Sequence, residues 1–228
     1  MKVDISQSNP TVQSLICDTN QLITLDANFF ISPDRRNEGV PGEFGQARYQ
    51  KVWTEPFFSV FSDLAIHEAV LGELLPGTAA RAYVEEKLSS HKLRVLYDDS
   101  LSPREKAMRN TFEAHIAPNT QYDPARDNKD DRGEVKTLAF LGTKGYIYFA
   151  SNDRNALRLV DNADKLGTLL DNQVTVKFYE GIYLLRRFDA VSADDIKWLY
   201  KYLYAFSKRD RNPEWGDFMT EMGRLYTK

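Results

Sequence analysis

The sequence predicts an α/β fold: a single domain with a central parallel sheet flanked by helices, and a C-terminal helical appendage. Three observations predict it. Short strand-like apolar runs at 22–25, 93–97, 146–150 and 174–178 alternate with helix-like segments, the pattern of a parallel sheet built from βα units. Residues Gly133 to Lys144 carry Val135, Leu138, Ala139 and Leu141 at helical spacing and are followed by Gly145, so a helix delivers directly into the strand at 146. After about residue 185 the pattern becomes helical throughout, over Ala193–Ser207 and Glu214–Tyr226.

The elements can be justified in order. Leu22-Ile23-Thr24-Leu25 is an apolar strand that ends in Asp26, and Tyr146-Ile147-Tyr148-Phe149-Ala150 is another that runs into Ser151-Asn152-Asp153. The run Ser62 to Leu71 reads as a helix carrying Glu68 and, beyond it, Glu73. Ser102-Pro103-Arg104-Glu105 combines an N-cap serine, a first-turn proline and a glutamate three residues on, and Ser192-Ala193-Asp194-Asp195 is a shorter-armed version. Two segments, 32–45 and 117–131, are rich in Gly, Pro or charge and read as loops or insertions. In the tail, Trp198, Leu199, Tyr202 and Leu203 share one helix face, which is packing for the appendage.

Composition narrows the function. With 228 residues and 42% apolar content the chain can bury a sizeable core. Thirty basic against 33 acidic residues give a formal charge of −3, which excludes a protein that holds nucleic acid by overall charge alone. A single cysteine, Cys17, excludes an internal disulfide. The start lacks an apolar signal core and no run is long enough to span a membrane, so the expected location is the cytoplasm.

In an open parallel sheet, strand carboxyl ends converge on one crevice, so Asp26 and Asp153 can share a site despite their separation. Glu68, and Asp131 with Glu134 at the start of the helix near Gly133, are the other candidate acids. Hard dications take oxygen ligands from a few such carboxylates. Taken singly, each acid also suits a turn, a cap or a solvated helix face. His67, His91 and His115 show no metal-ligand or triad spacing.

At these residues the chain resembles PIN-domain nucleases. Leu25-Asp26-Ala27-Asn28-Phe29-Phe30 is similar to the first-strand signature of that family. Glu68 falls where its second acid stands, Asp131-Arg132-Gly133-Glu134 resembles the opening of its third-acid helix, and Ser151-Asn152-Asp153 its strand-end fourth acid. The resemblance covers roughly residues 20–180. It implies a PIN-like nuclease domain over 1–185, with 186–228 as a helical extension packed on it. It implies a catalytic metal site for Mg²⁺ or Mn²⁺ formed by Asp26, Glu68, Asp131 or Glu134, and Asp153, hydrolysing phosphodiester bonds of RNA, with DNA as the second candidate substrate. Asn28, Ser151 and Asn152 would orient the acids from behind, and Arg48, Lys51 and Arg154 would touch substrate. Arg35, Arg36 and Arg158 add further cations. An antitoxin-type protein or a second copy is the implied partner.

Several alternatives stay open. Leu15-Ile16-Cys17-Asp18-Thr19-Asn20 also matches the first-strand signature, and Glu73 competes with Glu68. Two other functions compete: a phosphatase with Asp26 as an aspartyl nucleophile, which generally requires a second aspartate where this chain has Asn28, and a noncatalytic PIN-like scaffold.

Overall fold

The computed structural model describes residues 2–38, 40, 44–206 and 211–226. In chain order the regular elements are α1 (Pro10–Cys17), β1 (Ile23–Leu25), α2 (Gln46–Tyr49), α3 (Glu55–Val60), β2 (Leu64–His67), α4 (Glu68–Glu73) and α5 (Ala79–Ser89). They continue with β3 (Arg94–Leu96), α6 (Pro103–Ile116), α7 (Arg132–Lys144), β4 (Tyr148–Ser151), α8 (Arg154–Asp161) and α9 (Ala163–Leu166). β5 (Val174–Lys177), α10 (Phe178–Arg187), α11 (Ala193–Tyr204) and α12 (Trp215–Tyr226) complete the chain. It divides into two compact units, one of residues 22–30 and 63–177, the other of 1–21, 31–62 and 178–228.

The first unit contains the sheet. Its strands run in the order β3-β2-β1-β4-β5, every neighbouring pair parallel, with Ile23 opposite both Leu64 and Tyr148. This is the expected α/β architecture. The central strands β1, β2 and β4 are buried at every position, which is why their sequences are apolar runs without alternation. The order reverses at β1, whose connection leads to β2 on one side while β4 arrives on the other. Such a reversal opens a crevice at the carboxyl ends of the two strands.

Sequence and structure part company over two segments here. Ser62 to Leu71 is not one helix but β2 followed directly by α4, with His67 as the helix N-cap. A strand of four fully buried residues has no period of two, so an apolar run there carries no strand signature. Asp18 follows helix α1 as its C-cap, and its side chain accepts the Asn20 N–H at 2.9 Å, so Leu15–Asn20 is not the first strand.

Helix α7 packs an apolar face into the core beneath the sheet. It stops where Gly145 enters the left-handed region at φ +66°. Its buried face, Val135, Leu138, Ala139 and Leu141, joins a core with Ala65, Phe149, Ala156, Leu159 and Ile116. The valine, leucine, isoleucine and phenylalanine side chains among these each contribute roughly 1.5–3 kcal/mol when removed from water. Helix α6 opens with the full Ser102–Glu105 capping box and packs on α7 at Gly142, where a Cβ would lie 2.6 Å from the Phe112 ring. Residues 117–131 begin as a tight turn, Ala117–Asn119, and continue without regular structure. Asn128 ties that segment together, donating to the Gln121 carbonyl and accepting the Asp123 N–H.

The second unit is helical and aromatic. Between α2 and α3 the chain makes a π-helical turn, Gln50–Thr54, that buries Trp53 against Phe178 with ring centroids 4.7 Å apart. Trp198 stacks on Tyr202 and Tyr200 on Phe218, so the tail aromatics do serve packing. Part of the predicted 32–45 loop, residues 39 and 41–43, lies outside the described residues, as does Ser207 at the end of the predicted tail helix. Among the described residues, no helix is long and apolar enough to cross a membrane.

Candidate functional site

Asp26 stands at the carboxyl end of β1 and is 1% exposed. A buried carboxylate must be met by donors, and three meet it. Its Oδ1 accepts the Ala27 N–H at 2.7 Å; its Oδ2 accepts from Asn28 Nδ2 and from Ser151 Oγ, each at 2.7 Å. Ser151, the last residue of β4, is fully buried and takes two further bonds on Oγ, from the Asp153 N–H at 2.9 Å and from Asn28 Nδ2 at 3.1 Å. Asn28 Oδ1 accepts the Asn152 N–H at 3.0 Å. The ends of β1 and β4 are thereby laced through the three residues expected to support the acids: Asn28, Ser151 and Asn152.

Asp153 caps α8, its Oδ1 accepting the Asn155 and Ala156 N–H groups. Its charge also reaches the cluster, raising the proton affinity of Asp26 and of Glu134. Burial is the main reason Asp26 is pushed up from 3.8 to about 6, against the opposing pull of Ser151, Ala27 and Asn28. Glu134, in the first turn of α7, is pushed up to about 8, first by burial and then by the charges of Asp26, Glu73 and Asp153.

Of the two competing glutamates, Glu73 feels the Asp26 charge, whereas Glu68 is engaged at Asp98. Glu73 ends α4, accepts the Gly133 N–H at 2.9 Å, and is pushed up to about 7 by burial and by the Asp26 charge. Residues five apart on a helix differ by about 140° in direction, and Glu68 and Glu73 accordingly have different partners. Glu68 turns toward β3, where its Oε1 accepts the Asp98 N–H at 2.8 Å. Asp131 also has a structural role: it precedes α7 in the left-handed conformation at φ +53°, and its Oδ2 accepts the Gln121 N–H at 2.9 Å, tying back the 117–131 segment. Its charge is felt at Glu73, while Glu134 feels the charge of Asp26.

Among the described residues, the three potential metal ligands drawn within 4.8 Å of one another are His67, Glu68 and Asp98. Their atoms are already engaged. His67 Nδ1 accepts the Ala69 N–H, which leaves the proton on Nε2, and Nε2 faces Asp98 Oδ1 at 3.4 Å. Asp98 Oδ2 lies 3.1 Å from Arg109, which is almost fully buried. Burial pushes the Asp98 carboxyl up, but the His67 bond and the Arg109 charge hold it below its ordinary value. A cation is therefore supplied by the protein itself. This network was not foreseen in the sequence, although Asp98 directly follows the predicted strand 93–97 and obeys the strand-end rule that selected Asp26.

The expected substrate cations divide between the units. Arg154 is exposed at the first position of α8, beside Asp153, and Arg158 donates to the Asn119 carbonyl at 2.8 Å. Arg48 and Lys51 belong to the helical unit. There Arg48 lies over the Trp198 and Phe44 rings, 3.6 Å from Asp195. Arg35 is buried and holds the carbonyls of Tyr202 and Leu203, and Arg36 pairs with Asp34. Comparison with protein-family models, curated proteins and solved structures finds no match. The functional case therefore rests on the chemistry of the acid cluster.

Proposed function

We propose that the chain is a metal-dependent nuclease of the PIN-like kind, hydrolysing phosphodiester bonds of single-stranded or structured RNA. The observation that carries this reading is Asp26, buried at the carboxyl end of β1 and tied to β4 through Asn28 and Ser151, with Glu73 and Glu134 close enough for its charge to raise their proton affinity. Nothing in stability favours such a set, and an oxygen-seeking dication such as Mg²⁺ or Mn²⁺ relieves it. The donor chemistry suits such an ion: all are carboxylates, and Asp153 adds a fourth charge.

In this reading Asp26, Glu73, Glu134 and Asp153 hold the ion, while Asn28 and Ser151 fix the orientation of Asp26. A bound dication supplies an acidified water and offsets phosphate charge. The phosphatase alternative is disfavoured because the position two residues on is an amide, Asn28, that bonds Asp26 instead of an acid.

The test is cleavage of single-stranded RNA and DNA with Mg²⁺ or Mn²⁺, comparing the wild type with Asp26→Asn, Glu134→Gln and Asp153→Asn. Metal-dependent RNA cleavage lost in all three variants supports the proposal. Cleavage unchanged in Asp26→Asn, or release of phosphate from a small phosphomonoester instead, overturns it.

A further inference from the structure

Helix α7 begins without a cap of its own. Asp131, at its N-cap position, makes no side-chain bond to the first turn, and its side chain is committed to Gln121. The early N–H groups of a helix have no partner within it. The Gly133 N–H nonetheless has one, Glu73 Oε1 at 2.9 Å, from a residue 60 positions earlier. This approach requires a residue with no side chain. A Cβ on Gly133 would overlap Glu73 Oε1 and stand 2.7 Å from Glu73 Cδ, although Gly133 has an ordinary helical conformation that any residue could adopt. Glycine in a helix is unfavourable relative to alanine, so its presence here answers a spatial need.

We infer that Gly133 is the positioning residue of the acid cluster: its bare backbone anchors the Glu73 carboxylate and sets where that carboxylate meets Asp26 and Glu134. The metal-binding part of this inference rests on the function proposed above; the anchoring itself does not. Glu73 closes the short helix α4, directly after exposed Gly72, so its own element gives it little restraint. The flexible carboxylate would move aside for an alanine at 133, so the substitution displaces a ligand without breaking the fold.

The experiment uses the full ¹⁵N-labelled chain in two conditions. In EDTA, hydrogen exchange at the Gly133 amide is compared between the wild type and Glu73→Ala. The variant is expected to exchange at least about tenfold faster, because that amide has no other acceptor within its helix. Equal rates overturn the anchoring. With Mn²⁺, calorimetric titration compares the wild type, Gly133→Ala, Glu73→Asp and the double variant. Gly133→Ala is expected to weaken Mn²⁺ binding about tenfold or more with little change in Tm, and adding Glu73→Asp, which shortens the side chain, to recover part of that loss. As a single change, Glu73→Asp weakens binding. Gly133→Ala binding Mn²⁺ like the wild type overturns the inference. A wild type that binds no Mn²⁺ overturns the metal reading and its part of the inference, while the exchange result still decides the anchoring.

Discussion

Asp26→Asn removes a charge from the most buried position of the acid cluster, and its consequence should be read in the pH dependence of stability. The wild-type carboxyl is pushed up from 3.8 to about 6, chiefly by burial. At about 1.4 kcal/mol per tenfold change in proton affinity, this corresponds to about 3 kcal/mol. Because the folded state holds this proton more tightly than the unfolded chain, Asp26 stabilises the metal-free protein most below about pH 4. The protein loses that 3 kcal/mol as pH rises from about 4 to 6. Glu73 and Glu134, pushed up to about 7 and about 8, extend the decline toward pH 8. In Asp26→Asn the first part of the decline disappears and the second becomes shallower, since the Asp26 charge is the largest cause after burial at both glutamates. The variant also replaces the Oδ2 acceptor of Asn28 and Ser151 with a donor, which costs roughly 1–3 kcal/mol. That cost is the same at every pH, so it lowers the curve without tilting it. Urea unfolding from pH 4 to 8.5 in EDTA measures both. The wild type should lose about 3 kcal/mol more across this range than the variant; parallel curves would refute the reasoning.

Other perturbations follow from the same geometry. Saturating Mn²⁺ should raise Tm more at pH 8 than at pH 5, because protons compete for Asp26, Glu73 and Glu134 below neutrality; differential scanning calorimetry at the two pH values checks it. Ser151→Ala removes one donor to Asp26 and the acceptor of the Asp153 N–H, and should lower RNA cleavage about 10–100-fold in a gel assay while the chain stays folded. Glu68→Ala strands the Asp98 N–H and should cost about 1–3 kcal/mol in urea unfolding, with cleavage per folded molecule unchanged. Gly142→Ala should cost about 1–3 kcal/mol, because its Cβ meets the rigid Phe112 ring rather than a movable chain end.

What could be read from sequence follows the physics of each element. β1, β4 and α7 were legible because each pairs an apolar run with a punctuating residue, Asp26, Ser151 and Gly145 respectively, and β5 because Val174 and Val176 alternate with polar residues. β2 was not, since a strand buried on both faces looks the same as the start of the helix it feeds. That ambiguity put Glu68 ahead of Glu73, for with β2 counted as helix the two acids lie in one continuous stretch and nothing orients either. Asp26 was separable from Asp18 only once α1 was seen to be a helix, because Asn9-Pro10 supplies its cap and first turn outside the run in question. The hydrogen bond that engages Asp131 at Gln121 is a tertiary contact without a local signature.

The placement of β1 between β2 and β4 also has a consequence for synthesis of the chain. Ser151, which completes the coordination of the Asp26 carboxylate, lies 125 residues downstream of it. At about 5–20 residues per second, that interval takes on the order of 10 s on the ribosome. Throughout it β1 has no β4 to pair with, and Asp153 does not yet exist. A nascent chain therefore carries its first acid without the fourth, and the full carboxylate set appears only when the sheet closes around its earliest strand.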